Sequence, residues 1–424
     1  PYISWQRTYG TDGTEELTVV KKTTDGGFIL GGHSGGGING DKTSANIGLN
    51  DYWIIKINKT GDIQWQKTIG GSNEDYLSEI TETVDGGFII GGASLSLISG
   101  DKTETSRGEN DCWILKLDVQ GNIIWQRTIG GNSFDAVHKI IPAYDSGYIV
   151  LAGSASTIGG EKTEVSRGNS DLWIYKLSKR GVIEWQKTIG GSGTVTGTAI
   201  CYAQGGGYLI TCTSTSGISY EKTSANKGAN DFWVIKINNT GAIQWQQSYG
   251  GTATDNIFDV AKTTDGGYIL AGQSISTISG DKTEINRNGT VDYWIIKVDS
   301  IGAIKWQKTI GGNDFDGQEM NVSQTSDSGF VISGSSLSNI SAEKTDNSRG
   351  GGDYWVVKLD KSGALQWQKT IGGSANDYFA SAAMVNDTSF LIGGQSYSPA
   401  SGDKTAPLKG FRDYWVVSLN IATI

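Results

Sequence analysis

Tryptophan recurs in this chain at a nearly constant interval, and that interval leaves few folds open. One phrase, W-Q-K-T-I-G-G with close variants, places Trp5, Trp65, Trp125, Trp185, Trp245, Trp306 and Trp367, at steps of 60, 60, 60, 60, 61 and 61 residues. A second phrase, D-Y-W-I-I-K, places Trp53, Trp113, Trp173, Trp233, Trp294, Trp355 and Trp415. Wherever a member of the first set follows one of the second, the step is 12 residues, and the two sets account for all 14 Trp. Length variation therefore lies outside that step. Seven copies cover essentially all 424 residues, so the unit of folding is the repeat and not a pair of conventional domains.

Each copy reads as four short strands. In the second copy, Tyr76 to Val84 is a candidate first strand, and Asp85-Gly86 is a hairpin turn because both residues tolerate positive φ. Phe88 to Ser94 is the next strand, followed by a long polar loop from Leu95 to Asn110. Cys112 to Leu117 and Ile123 to Ile129 complete the set, joined by the turn at Gln120-Gly121-Asn122. The apolar runs are too short for helices and are rich in β-branched and aromatic residues, and no segment carries a helical period.

Tandem four-stranded units close radially, which leaves only short protected edges. With the strands named A to D from the channel outward, the chain begins inside a D strand (Ile3 to Thr8) and ends just after a C strand (Tyr414 to Leu419). The seventh unit is complete only if residues 1–10 supply its outer strand. The sequence therefore predicts an all-β, seven-bladed β-propeller occupying 1–424 as a single domain. Its ring is fastened by the N-terminal outer strand pairing with the C-terminal three. An open solenoid would call for distinct caps, and none is evident.

Composition narrows the function. The formal net charge is −9, which disfavours phosphate-tracking nucleic-acid binding and docking on anionic lipid. No apolar run approaches 18 residues, so no membrane insertion is expected. The expected state is a monomer. Cys112, Cys201 and Cys212 match no metal spacing. Cys201 and Cys212 flank a hairpin turn, so a cross-strand disulfide and two separate buried thiols are both open.

The units resemble the long propeller repeats of secreted surface proteins of Bacteroidota, which often carry a sorting domain for type IX secretion. The matching residues are the D-G-G-F/Y-I turn (Asp25 to Phe28, Asp265 to Tyr268), the D-Y-W strand and the G-x-I-x-W-Q-K-T-I-G-G strand, in all seven copies. The resemblance implies export to the cell surface or medium, with adhesion or carbohydrate contact as the role.

Three polar features recur. The first is [D/E]-K-T in the B–C loop, with Asp101-Lys102, Lys162, Lys282, Lys344 and Lys404 among its members. The second is the Asp that opens strand C, as at Asp111. The third is an acid ten residues after the first-set Trp, at Asp75, Asp135, Asp255, Asp316 and Asp377, with Glu15 in the first copy and Val195 in the fourth. A basic residue recurs late in the loop, as at Arg107, with Ile47 in the first copy. B–C and D–A connections share one face, so these groups gather on the loop-rich side. They are candidates for seven equivalent ligand pockets or for blade fastening. In the fastening arrangement a lysine stem covers a Trp ring while its ammonium meets a carboxylate. Presence in every copy favours fastening, because every blade must fold while few sites must bind.

Catalysis on such a scaffold needs residues that break the symmetry. Only His33 and His138 are present, at non-equivalent positions, and no G-x-S-x-G, H-E-x-x-H or C-x-x-C occurs. Asn313-Asp314-Phe315-Asp316-Gly317 hints at a calcium turn without the full oxygen spacing, and no other cofactor is indicated. The expectation is a non-catalytic extracellular scaffold that binds a surface protein or glycan through its loop face. The alternatives are a multivalent lectin with repeated sites and, more remotely, a hydrolase at the channel mouth.

Overall fold

The hairpin signals close as tight turns in the computed structural model, which describes residues 1–421. In the second unit the Thr83 amide donates to the Gly87 carbonyl at 2.8 Å, and Gly86 takes φ 78°, where a side chain would be strained. Asp85 accepts from the Gly87 amide at 3.1 Å and from the Lys116 ammonium at 3.0 Å, tying the A–B turn to strand C. The same Asp–Lys clip joins Asp25 to Lys56, Asp265 to Lys297 and Asp327 to Lys358. In the fourth unit, where Gln204-Gly205 replaces the acid, Lys236 donates to the Gln204 carbonyl at 2.7 Å.

Seven four-stranded antiparallel sheets result. Their inner strands touch in a cycle, the first also meeting the last, so the protein is a closed seven-bladed β-propeller. The blades occupy residues 15–69, 75–129, 135–189, 195–249, 255–310, 316–371 and, for the seventh, 377–420 with Tyr2–Tyr9 as its outer strand. That last pairing runs from Tyr2 opposite Asn420 to Tyr9 opposite Tyr414. Among the described residues the one helical segment is a 3-10 turn, Arg287–Gly289, which absorbs an extra loop residue of the fifth copy.

The core lies between blades. Seven apolar clusters form, one per junction; that between the first and second blades joins Ile29, Tyr52 and Ile54 to Ile80, Phe88 and Trp113. Each strand-C Trp is fully buried. The aromatic before it reaches across to the next blade's Trp, as Tyr52 does to Trp113 with ring centroids 5.3 Å apart. The second blade has the small Cys112 at that position, and the third compensates with Tyr175 in the layer it faces. Volume is thus conserved across the junction, which well-packed cores tolerate best.

The paired glycines of T-I-G-G have steric reasons. A Cβ at Gly70 would lie 1.9 Å from an oxygen of Asp51, and one at Gly71 would lie 2.4 Å from Cβ of Ser96 in the next blade. The crossing is therefore too close for a side chain at these two positions; the first copy carries Thr11 at the second of them, where Gly36 in place of the serine leaves it room.

The possible disulfide does not form. Cys201 pairs opposite Leu209 and Cys212 opposite Gly197, and both thiols are free. Several residues of strand, at about 3.4 Å each, separate them, beyond the ~7 Å Cα reach of a disulfide.

Deleting residues 1–10 exposes the edge of Asp413–Asn420 and removes Gln6, which accepts from Trp415 Nε1 at 3.0 Å. The truncated protein is expected to melt more than about 5 °C lower and to self-associate through the open edge. Calorimetry with size-exclusion chromatography checks this. A monomer with an unchanged melting curve contradicts ring closure by this strand.

Candidate functional site

The loop face is organised by a residue that sequence reasoning passed over, the Gln of W-Q-K. Gln126 accepts on its side-chain oxygen from Trp113 Nε1 at 3.0 Å and from the Thr103 amide at 3.1 Å. Its amide donates to the Asp101 carbonyl at 2.6 Å. One side chain on strand D thus holds the buried Trp of strand C and both flanks of the D-K-T loop. Gln66, Gln186, Gln246, Gln307 and Gln6 repeat the arrangement. Its presence in all seven copies, with no apolar or ionic reason for it, was the available signal.

The lysines turn inward beneath this loop. Lys102, Lys162, Lys282, Lys344 and Lys404 are 1%, 1%, 1%, 1% and 2% exposed. The ammonium of Lys102 stands 5.8 Å from the Trp113 ring centre, Lys162 5.6 Å from Trp173, Lys282 5.5 Å from Trp294, and Lys344 5.2 Å from Trp355. The expected carboxylate partner is not there. Lys102 donates to the Ser106 hydroxyl, Lys282 to that of Thr309, Lys344 to that of Thr370, and Lys404 to the Ser398 and Ala406 carbonyls. The nearby acids instead turn one carboxylate oxygen to a backbone amide and, at Asp75, to a serine hydroxyl, and the lysines take neighbouring hydroxyls and carbonyls. Burial pushes the Lys282 and Lys344 ammonium groups down to about 8.

Those acids are fully buried. Asp75 accepts from the Gly71 amide at 2.7 Å and the Ser96 hydroxyl at 3.0 Å. Asp135, Asp255, Asp316 and Asp377 do the same with the equivalent glycine and serine. Asp316 of the suspected calcium turn is committed in this way, and Asn313 accepts from the Asn339 amide. Among the described residues no group of three or more His, Cys, Asp or Glu is placed to hold a metal. Asp111 caps its own loop by accepting from the Arg107 amide.

Arg107 and Asp101 act between blades. Asp101 receives the Gly70 amide of the preceding blade at 3.2 Å, while Arg107 reaches forward to Glu161 at 2.6 Å. The pattern repeats as Arg167–Glu221, Lys227–Asp281, Arg287–Glu343, Arg349–Asp403 and, across the closure, Lys409–Asp41. Ile47 interrupts this circle at the first junction, where it packs near Gly100 instead.

The channel departs from the repeat. A cavity of about 440 Å³ is lined by Glu16, His138, Lys139, Phe258, Asp259 and Glu319, among others. His138 faces this channel, and burial with Lys139 beside it holds the imidazole down to about 4.

No protein-family model matches the chain. It is similar to the regulatory protein FlaEY of Caulobacter vibrioides, with 22% identity over 443 residues, covering 97% of this chain and 43% of FlaEY. The chain thus spans less than half the length of that relative. Among solved structures it is similar to hydrazine synthase of Kuenenia stuttgartiensis, with TM-score 0.53 and 9% identity over 100% of both chains. It is also similar to a protein of unknown function from Dyadobacter fermentans, a Bacteroidota species, with TM-score 0.48, 10% identity and 99% of each chain covered. At these identities the structural likeness extends to the propeller fold alone.

Burial raises Asp51, Asp231 and Asp413 to about 6 and Asp292 and Asp353 to about 7. A carboxyl whose folded value exceeds its unfolded one stabilises the fold at low pH, and that contribution is lost as pH rises through 6 to 7. Desolvation also opposes ionisation at Asp25, Asp85, Asp265 and Asp327, but lysine and turn hydrogen bonds outweigh it and hold them near 2. Their contribution is lost only as pH falls from 4 toward 2. The melting temperature should therefore fall between about pH 4 and pH 7, and Asp292→Asn should flatten that fall in calorimetric scans.

At Lys102, replacement by Ala removes the stem over Trp113 and is expected to cost about 1–3 kcal/mol. Replacement by Met keeps the stem and removes the buried charge, and should cost less than about 1 kcal/mol. Denaturant titration separates the two; equal losses would assign the stabilisation to the charge.

Proposed function

We propose that this propeller is a non-catalytic binding scaffold, exported to the cell surface, that engages a protein partner through its loop-rich face. One observation carries the reading. With the recurrent lysines turned inward, the repeat leaves an apolar position outside, beside the exposed Thr of the same loop. Ile38, Ile98, Ile158, Ile218, Ile278 and Ile340 occupy one equivalent position in the B–C loops and are 65%, 63%, 61%, 68%, 60% and 60% exposed. The seventh copy has the exposed Ala400 there. A ring of isoleucines without a packing role inside the fold is a surface that gains by being covered. The six stand around the ring on separate blades, so a broad partner fits them better than a small ligand.

A glycan partner has narrower support. Sugars are held by exposed aromatic faces, and the strand-C Trp rings are fully buried. The strand-D Trp rings are half-covered, with Trp65 Nε1 donating to the Val119 carbonyl of the next blade. Exposed aromatics of the loop face, such as Tyr220 and Phe411, differ from blade to blade. This favours an irregular contact over a sevenfold lectin. Export rests on the likeness of the repeats to those of secreted Bacteroidota proteins. A non-catalytic role accords with the name of the Caulobacter relative, a regulatory protein.

The test is a triple variant, Ile98→Asp, Ile158→Asp and Ile278→Asp, compared with wild type in cross-linked capture from cell-envelope fractions. All three side chains are exposed, so the melting temperature should be unchanged. Wild type should retain a protein that the variant captures at least tenfold more weakly. Identical capture by both, or a glycan-array signal that survives the substitutions, sinks the isoleucine-ring reading.

A further inference from the structure

The channel-facing strands abandon the repeat that the rest of each blade keeps. Four residues after the position of the blade-opening acid stand Val19, Glu79, Lys139, Ala199, Asp259 and Ser381, and in the sixth blade Asn321 pairs at that level. Most of the charges there satisfy one another. Glu79 lies 3.2 Å from both Lys21 and Lys139. Asp259 accepts from the Val260 and Val322 amides at 2.8 and 2.9 Å. Glu16 is paired with Arg412.

Glu319 is the exception. The sixth blade carries one residue more than its neighbours between the opening acid and the turn Asp, from Asp316 to Asp327 against Asp75 to Asp85. The extra residue is absorbed where Gly317 opposes Ser335 and Asn321 opposes Ser333. Gln318 and Glu319 there take φ 59° and 35°, the left-handed region that disfavours side chains, yet neither is glycine. Among the described residues the Glu319 carboxylate has no hydrogen-bond or ion-pair partner. It stands accessible in the 440 Å³ cavity, a size suited to a small molecule. Desolvation pushes its carboxyl up, Lys139 pulls it down and Glu16 adds to the rise. Phe258 supplies apolar wall beside it, and Thr18, Ser78 and Thr198 supply hydroxyls.

We propose that the channel is a binding site for a small organic cation, an ammonium or guanidinium, whose charge is taken by Glu319 and whose carbon skeleton lies on Phe258. An anion would have to use Lys139, which Glu79 already engages and which Asp259 and Glu319 also hold by their charge. A cation instead completes the one carboxylate of this layer left without a partner. All the inner strands shift register near this level, but only the sixth adds a residue there and holds it in a strained conformation beside the cavity.

The probes are agmatine and n-butylammonium, with glucose as neutral control, titrated calorimetrically into the whole protein. Both cations should bind at 1:1, glucose should not, and Glu319→Gln should weaken the cations at least tenfold. Glu319→Gly relieves the positive φ, so it should melt at or above the wild-type temperature while losing binding, which separates loss of the site from loss of the fold. Unchanged affinity in Glu319→Gln, no heat from either cation with wild type, or binding of glucose alone overturns the proposal. The triple isoleucine variant should bind agmatine as wild type does, so failure of one reading leaves the other standing.

Discussion

Each blade buries both faces of its middle strands only because a neighbour stands on either side. A single four-stranded sheet with Trp113, Ile90 and Leu115 on its faces would leave them wet. The second blade covers them by packing against the first, and covers Cys112, Ile89 and Ile114 by packing against the third. The apolar layer belongs to the junction and not to the blade. Seven blades then need seven junctions, and the seventh exists only in a closed ring. This explains why the chain splits its last blade between its two ends. Two otherwise frayed ends become one hydrogen-bonded sheet, with the Lys409–Asp41 pair and the Gln6 contacts repeating there what other junctions have within the chain.

Once the junctions are set, the connections on the loop side must cross from blade to blade at close quarters, and their polar groups are taken out of water together. An ammonium buried near a Trp ring is costly alone. Here hydroxyls and carbonyls take its hydrogen bonds while the ring face offers partial negative charge. The acids accept backbone amides of the glycine crossings and of the loop, donors that would otherwise be orphaned. These contacts tie each loop to the strands beneath it, which leaves the isoleucine ring pointing outward.

The strands were legible to within a residue or two. Phe88–Ser94 and Ile123–Ile129 stand where the alternation and turn residues placed them. The first strand of that copy was read as Tyr76 to Val84 and runs Asp75–Glu82, because Asp75 enters the ladder opposite Ser94 while the turn begins at Thr83. The recurrent polar residues were also visible as a set, but their partners were not. Lys102 lies one residue from Asp101 in the chain, yet it turns to Ser106 and Trp113, whereas Asp101 turns to Gly70 of the blade before. Gln126 looked like an ordinary exposed strand residue. Nothing local reveals that its amide meets three groups from two other segments.

Periodicity alone determined the number of blades, their four-strand make-up and the closure by the first strand, because a 60-residue repeat with no caps has one economical way to bury its apolar faces. What the repeat could not say is which copies of a residue do different work. Glu319 is one acid among 44, and its insertion registers in sequence only as a step of 61 where most are 60. Only the ring brings seven inner strands to a common axis, and only there does Glu79 meet Lys21 and Lys139 from the blades on either side while Asp259 takes backbone amides, which leaves Glu319 without a partner. Such selection among like residues is a matter of distance in space, and the tertiary structure alone decides it.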